Sequence, residues 1–184
     1  MNFAPFKRSY WVVPGKFLAG CYPGGQTPAS AVEKVHGLMN AGVTDIICLM
    51  ESTETNHDGQ PFQDYLPAAK DVPSAIGREL HWHRHPIVDG GITTVEAMRS
   101  ILDCIDAALE RGGVVYVHCW GGRGRTGSVV CCWLIRHGLA EPANAVGKMH
   151  ALIGDKIDVF MPTPENEKQR FFISEWRQEF PPRQ

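Results

Sequence analysis

The sequence predicts a three-layer α/β sandwich: a central, mainly parallel sheet of four or five strands, flanked by helices on both faces. Three observations predict it. The apolar runs at 43–50 and 113–117 are rich in β-branched residues, as strands buried on both faces must be. Amphipathic segments lie between successive strand candidates, and a helix between two strands is the usual parallel crossover. The 184 residues are enough for one domain with a real core.

Taken in order, residues 1–15 are expected to be irregular and to end at Pro14-Gly15. Lys16 to Gly20 can form a short strand, and Pro23-Gly24-Gly25 turns the chain. Thr27-Pro28 starts a helix, with a capping hydroxyl before a proline at the first helical position. That helix carries Ala31, Val35, Leu38 and Met39 inward and stops at Gly42. Val43 to Met50 is a central strand. Thr55 to Pro67 is a polar loop placed to rim a pocket, and 68–76 is weakly helical with Pro73 interrupting. Glu79 to His85 alternates and reads as a strand with His81, His83 and His85 on one face. A zinc site would need a fourth ligand, and none is apparent, so a polar strand face is the better reading.

Pro86 to Gly91 is a loop with one acid, Asp89, at its centre. Thr93 caps the next helix and is answered by Glu96 three positions on. Its inner face is Met98, Ile101, Leu102, Ile105, Ala108 and Leu109, and Gly112-Gly113 ends it. The strand 113–117 follows, then a glycine-rich turn, then a mostly buried helix over 128–137 closed by Gly138. Glu141-Pro142 starts a helix with Ala145, Val146, Met149 and Leu152 inward. A loop over 155–162 is anchored by Ile157, Val159 and Phe160. Thr163-Pro164-Glu165 starts a last helix carrying Phe171, Phe172, Ile173 and Trp176, and Pro181-Pro182 ends the fold.

Composition excludes several classes. Net charge is −2 with no basic block, which argues against a nucleic-acid partner. No apolar run approaches the roughly 18 residues that span a bilayer, and the first residues lack a secretory apolar core. The six cysteines are scattered with no Cys-x-x-Cys pair, the pattern of a reduced cytoplasmic thiol set. A single domain over 1–184, acting as a monomer, is expected.

The chemistry concentrates in Val117-His118-Cys119-Trp120-Gly121-Gly122-Arg123-Gly124-Arg125-Thr126-Gly127. A cysteine stands where the strand ends and an arginine where the helix begins. Three glycines between them let the backbone turn tightly with its N–H groups inward. The helix start adds unpaired N–H groups and the positive end of its dipole. Such a ring suits a phosphate-sized dianion, and Arg125 can clamp two of its oxygens. The same field favours a thiolate at Cys119, a nucleophile in line with phosphorus. A buried structural thiol is a fair reading of Cys131 and Cys132, mid-helix among apolar neighbours, but a poor one of Cys119. Glu51 and Glu54 follow the 43–50 strand, where ligands gather in open parallel sheets. Either could orient Arg125, or both could be solvated loop acids.

His118-Cys119, five residues, then Arg125-Thr126-Gly127 resembles the signature loop of the cysteine-dependent protein tyrosine and dual-specificity phosphatases. Pro86-Ile87-Val88-Asp89-Gly90-Gly91 resembles the acid loop of the dual-specificity group related to the cyclin-dependent kinase inhibitor phosphatase. The likeness runs from about residue 12 to 178, with its strong motifs at 86–91 and 118–127. It implies a phosphotyrosine-phosphatase-like fold and hydrolysis of phosphate monoesters through a phosphocysteine at Cys119. It also implies phosphate binding by the 120–125 loop and Arg125, and general acid work by Asp89. The Thr126 hydroxyl would hydrogen-bond the sulfur, and His118 would support the loop or simply be a satisfied buried histidine. Gln169 resembles the glutamine that positions the hydrolytic water, at a spacing two residues longer than the family pattern; a solvent-facing glutamine is the other reading. No cofactor or metal is expected.

A phosphorylated protein or peptide is the expected substrate. A second cation in the loop, Arg123, would favour phosphoinositides or inositol phosphates instead, whereas Trp120 stands where one lipid-directed branch of the family has a lysine. Trp120 offers an apolar wall beside the pocket. Sulfurtransferases and arsenate reductases also place a cysteine in such a loop, but the Arg-Thr pair and Asp89 argue against them. A phosphate-binding pseudophosphatase would usually have lost the cysteine, arginine or acid.

Overall fold

A computed structural model of the chain describes residues 3–24, 27–71, 79–154 and 162–177. Strands β1 (Ser9–Val13), β2 (Phe17–Gly20), β3 (Asp45–Cys48), β4 (His81–Arg84) and β5 (Val115–His118) form one sheet in the order β1-β2-β5-β3-β4. Only the β1–β2 pair is antiparallel. The helices are α1 (Pro28–Asn40), α2 (Leu66–Asp71), α3 (Val95–Glu110), α4 (Gly124–Arg136), α5 (Ala145–Ile153) and α6 (Glu167–Glu175).

Strand order places the helices. The chain steps from β2 to β3 and on to β4, then returns to β5 between β2 and β3. Right-handed crossovers therefore put α1 and α2 on one face and α3 on the other. α4 packs against α3, α5 and α6. Because α2 leaves β3 for one face and α4 leaves β5 for the other, a crevice opens beyond the carboxyl ends of those two strands. The register brings Gly20 of β2 and Cys48 of β3 level with His118, the last residue of β5.

The local sequence explains most of the elements. Thr27 caps α1 and Ser30 answers it, with Pro28 at the start. α1, α3 and α4 end in one motif, in which Gly42, Gly112 and Gly138 at positive φ donate to the carbonyls of Met39, Leu109 and Ile135. α4 is buried along its whole length, as its apolar sequence requires.

Several expectations are corrected. Residues 1–15 are not irregular throughout, because Ser9–Val13 is a strand. Its aromatic and β-branched residues suit an edge, and Pro14-Gly15 is a hairpin turn, with Gly15 at φ 71 and Lys16 N–H donating to Val13 at 3.0 Å. The cap of α3 is Thr94, which accepts from Ala97 N–H, so Glu96 falls in the first turn instead of answering the cap. α5 and α6 begin later than expected, behind Asn144 and Asn166, whose short polar side chains suit cap positions. Phe171 faces outward and is 69% exposed, while Ile173 and Trp176 point in. Gly25, Pro73, Ile157, Val159, Phe160, Pro181 and Pro182 lie outside the described residues.

No described helix is long and apolar enough to cross a membrane. The described residues hold no group of three or more His, Cys, Asp or Glu placed to hold a metal ion. In the His81-His83-His85 face, His83 lies 3.7 Å from the buried Asp45 carboxylate.

The α3–α4 contact is tied by Asp106, which is 6% exposed. It accepts from Trp133 Nε1 at 2.8 Å and Arg136 Nη1 at 3.2 Å, with His137 at 2.9 Å. Asp103, on the same helix and half-exposed, also pairs with Arg136. Asp106→Ala strips acceptors from buried donors and should cost about 3 kcal/mol, whereas Asp103→Ala should cost under about 1 kcal/mol. Urea midpoints of the two variants check this.

Candidate active site

The turn after β5 is shaped by where its carbonyls go. Cys119 C=O accepts from His118 Nδ1 at 3.2 Å, Trp120 C=O from the Tyr22 amide at 2.9 Å, and Gly121 C=O from Arg8 Nη2 at 2.8 Å. In a planar trans peptide the N–H points opposite to the C=O. Three carbonyls held outward therefore turn the N–H groups of Trp120, Gly121 and Gly122 toward the loop's interior. The Gly122 N–H lies 3.3 Å from Cys119 Sγ and donates to it. Gly122 sits at φ 73 against β2, where a Cβ would come within 2.5 Å of Gly20 C. No other residue fits there. α4 begins at Gly124 and adds its unpaired N–H groups and dipole to the same point.

The donor at Cys119 C=O has its own support. His118 is fully buried, and its Nε2 lies 2.7 Å from Tyr65 Oη, which accepts from Trp82 Nε1 at 3.0 Å. The Cys119 C=O can only accept, so Nδ1 carries a proton, and in the neutral imidazole Nε2 then accepts from Tyr65 Oη. That second bond requires the neutral ring. Burial enforces it, pushing the His118 pKa down to about 3 against the raising effect of the Cys119 carbonyl. His118 is thus both buried and satisfied, and it braces the loop.

Arg125 is 1% exposed. Its Nη1 donates to Glu54 Oε2 at 2.7 Å and Ile87 C=O at 3.0 Å. Its Nη2 donates to Glu54 Oε1 at 2.8 Å and Asp89 Oδ1 at 2.7 Å. Burial works against the charge, but Glu54, with Cys119 and Asp89, holds the guanidinium pKa above the ordinary arginine value. Of the two candidate acids, then, Glu54 grips Arg125 and is buried, while Glu51 does not touch it. Asp89 stands half-exposed at the tip of its loop, within reach of the same guanidinium.

One implied contact is not formed and one open reading is narrowed. Thr126 is buried beside the loop, but its hydroxyl makes no hydrogen bond to Cys119 Sγ or to any described residue. Gln169 is not solvent-facing. It is fully buried, donates to Gly91 C=O at 2.9 Å and accepts from Glu165 N–H at 2.9 Å. It packs so closely on Gly124 that a Cβ there would lie 2.8 Å from Nε2. Gln169 therefore ties the Asp89 loop to the start of α4. Trp120 is half-buried against His57 and Phe62, with ring centres 4.4 and 5.2 Å away. Arg123 pairs with Glu165 at 3.0 Å.

Arg8, Tyr22, Tyr65, Trp82 and Glu165 were not singled out by the sequence. Their roles arise only from contacts across the sheet. Behind Glu54 a cavity of about 310 Å³ opens, lined by residues including Tyr22, Glu51, Phe62, Tyr65, Trp82 and Arg84.

Comparison with known proteins fits this arrangement. Residues 6–160 match the family model described as Swiss Army Knife protein, DSP-PTPase phosphatase domain. The putative tyrosine phosphatase 067L of Invertebrate iridescent virus 3 is 30% identical over 142 residues, covering 73% of this chain and 46% of that protein. The chain spans about half the length of the curated relatives it matches first. Kinase associated phosphatase, solved with its catalytic site cysteine substituted by serine, superposes with a TM-score of 0.69 at 19% identity over 98% of both chains. PTPMT1 in complex with PI(5)P superposes with a TM-score of 0.65 at 17% identity, over 94% of this chain and 96% of that one. At these identities both structures speak to the fold alone.

Two predictions follow from the supports. His118 titrates near 6.5 when unfolded but about 3 when folded, so unfolding takes up a proton between those values. Its contribution is whole above pH ~6.5 and is lost as pH falls toward 3, by about 2 kcal/mol at pH 5. Urea unfolding at pH 7.5 and 5.0 should show that slope, and His118→Gln should be less stable at pH 7.5 yet flatter by about that amount. Glu54→Gln should free Arg125 and lower turnover of a phosphate monoester by roughly tenfold or more, with Glu51→Gln within twofold of the parent. Steady-state kinetics decide it.

Proposed function

Because the chain belongs to the DSP-PTPase phosphatase domain family, we propose that it is a protein tyrosine/dual-specificity phosphatase that works through a phosphocysteine on Cys119. The observation that carries this is the meeting of three groups in one crevice. The Cys119 sulfur accepts from the Gly122 N–H at 3.3 Å, Arg125 stands at the start of α4, and Asp89 is 2.7 Å from that arginine. The pseudophosphatase reading loses its usual ground, since cysteine, arginine and acid are all present.

The steps follow from the donors. All four Nη hydrogens of Arg125 are engaged by Glu54, Ile87 and Asp89. A phosphoryl group entering the ring displaces Asp89 from Nη2 and takes its place, while Glu54 keeps the fork flat and aimed. Asp89, released from the guanidinium, takes up a proton from solvent and faces the ester oxygen. The Cys119 thiolate attacks phosphorus, the P–O bond to the alcohol breaks, and Asp89 gives that oxygen its proton. In the second step Asp89 takes a proton from water, the water oxygen attacks phosphorus, and the P–S bond breaks. The products are inorganic phosphate and the regenerated thiolate. The Gly122 N–H stabilises the departing sulfur, the task the sequence assigned to Thr126. Gln169 acts through Gly91 and Gly124 as a positioning residue. The steps use side chains and water, with no metal or cofactor.

The aromatic rim of Trp120, His57 and Phe62 supports an aryl phosphate, and with it a phosphotyrosine protein or peptide, as the substrate. The second reading is a phosphoinositide, supported by the fold shared with PTPMT1 in complex with PI(5)P. We further take the chain to work as one monomeric domain in the cytoplasm, consistent with six free cysteines.

The unaltered protein should hydrolyse p-nitrophenyl phosphate, with vanadate inhibiting. Cys119→Ser should abolish turnover and still bind phosphate. Asp89→Asn should slow esters of poor leaving groups by roughly 10²–10³ and p-nitrophenyl phosphate far less. Equal losses across leaving groups would remove Asp89 as the acid. Turnover that survives alkylation of Cys119 would overturn the mechanism, and a strong preference for soluble phosphoinositides over phosphotyrosine peptides would replace the substrate.

A further inference from the structure

We propose that the rim of the phosphate loop carries a second anion site, formed by Arg8 and Arg123 over Gly121, which takes a second phosphoryl group of the substrate beside the one being cleaved. This rests on the phosphatase reading and adds to it a preference, among phosphate monoesters, for those that carry a second phosphoryl group close to the first.

The geometry starts at Gly121. A Cβ built on it would have three guanidinium nitrogens as its nearest heavy atoms: Arg123 Nε at 3.4 Å, Arg123 Nη2 at 3.7 Å and Arg8 Nη2 at 3.7 Å. Two cations from distant parts of the chain thus converge on one point with room for an atom. Each has one partner already, Arg8 the Gly121 carbonyl and Arg123 the Glu165 carboxylate, and an anion between them would offset their mutual repulsion. Arg123 has Glu165 at 3.0 Å, but among the described residues Arg8 pairs with no carboxylate. The Nε groups of Arg8 and Arg123 are buried and have no hydrogen-bond partner among the described residues. Buried donors left unmade are uncommon and mark places where a partner belongs.

Arg8 is held in place at a cost. It sits at φ 69, the left-handed region that a residue with a side chain occupies only under strain. Its carbonyl accepts the Cys21 N–H at 3.1 Å and its guanidinium reaches Gly121 C=O at 2.8 Å, which together fix the conformation. Lys34 adds a further positive charge on this side, with Nζ 3.4 Å from Tyr22 C=O. Arg8 also braces the loop through Gly121 C=O, but neither its guanidinium nor that of Arg123 pairs with Glu54 or Asp89. Arg125 lies across the loop, among Glu54, Ile87 and Asp89. A phosphoryl group between Arg8 and Arg123 would fill their unused N–H groups with charge-assisted bonds.

The test compares non-hydrolysable phosphonates by calorimetry on the unaltered protein: methylphosphonate against methylenebisphosphonate and ethylene-1,2-bisphosphonate. The better bisphosphonate should bind at least roughly tenfold tighter than methylphosphonate. Gly121→Ala places a methyl at the convergence point, and the backbone there lies outside the left-handed region, so alanine is tolerated. Gly121→Ala and Arg8→Gln should each bring the ratio of the two affinities close to one, whatever they do to methylphosphonate itself. Circular dichroism confirms folding, and either folded variant suffices. A ratio near one in the unaltered protein, or one that neither variant moves, overturns the second site. Hydrolysis of p-nitrophenyl phosphate is read separately. Its absence with the bisphosphonate preference intact removes the phosphatase reading and keeps the site, and its presence without that preference does the reverse.

Discussion

Three successive peptide units of the phosphate loop point their carbonyls away from its centre, and each is held by a donor from a different part of the molecule. His118 holds the first, the Tyr22 backbone the second and Arg8 the third. Remove that outward hold and the amides have no reason to face inward, because a short glycine-rich segment has little conformational preference of its own. The glycines permit the shape and the sheet imposes it. β2 supplies Tyr22 just past its end and the wall against which only Gly122 fits. β4 and the α2 region supply Trp82 and Tyr65, which set the proton on His118.

The second constraint is Arg125. A guanidinium buried to 1% exposure is sustained only by partners on all sides. Glu54 supplies two oxygens and keeps the fork in one plane. Asp89 supplies a third and is half-exposed. In the proposed mechanism the buried Glu54 contact persists and the Asp89 contact exchanges with substrate. The α6 side closes the arrangement: Gln169 reaches Gly91 on the Asp89 loop and lies on Gly124, so that loop and the arginine share a reference point.

Much of this was legible in the sequence, for a physical reason. Cys119, the glycines and Arg125 lie in one contiguous turn, and a turn's chemistry depends on neighbours in the chain. The parallel sheet was legible because its central strands β3 and β5 are buried throughout and lie in apolar runs. What escaped depends on distant contacts. Pro14-Gly15 looks the same ending a coil as turning a hairpin, so β1 was missed, and Arg8 with it. Glu51 and Glu54 could not be told apart, since three positions of loop decide which carboxylate reaches the arginine. Gln169 was left open between a positioning role and a surface one, because the loop that covers it comes from 78 positions earlier. The Thr126 hydroxyl was assigned a bond that the first turn of α4 does not form.

The braces on the loop have a kinetic corollary. Arg8 meets Gly121 across 113 positions, Glu54 meets Arg125 across 71 and Asp89 across 36. Contacts so remote form late, after the loop-closure entropy of the intervening chain has been overcome. The cysteine turn therefore gains these braces only as distant parts of the chain meet. Recovery of anion binding should accordingly coincide with the last cooperative phase of folding, making the site its own reporter of a finished molecule.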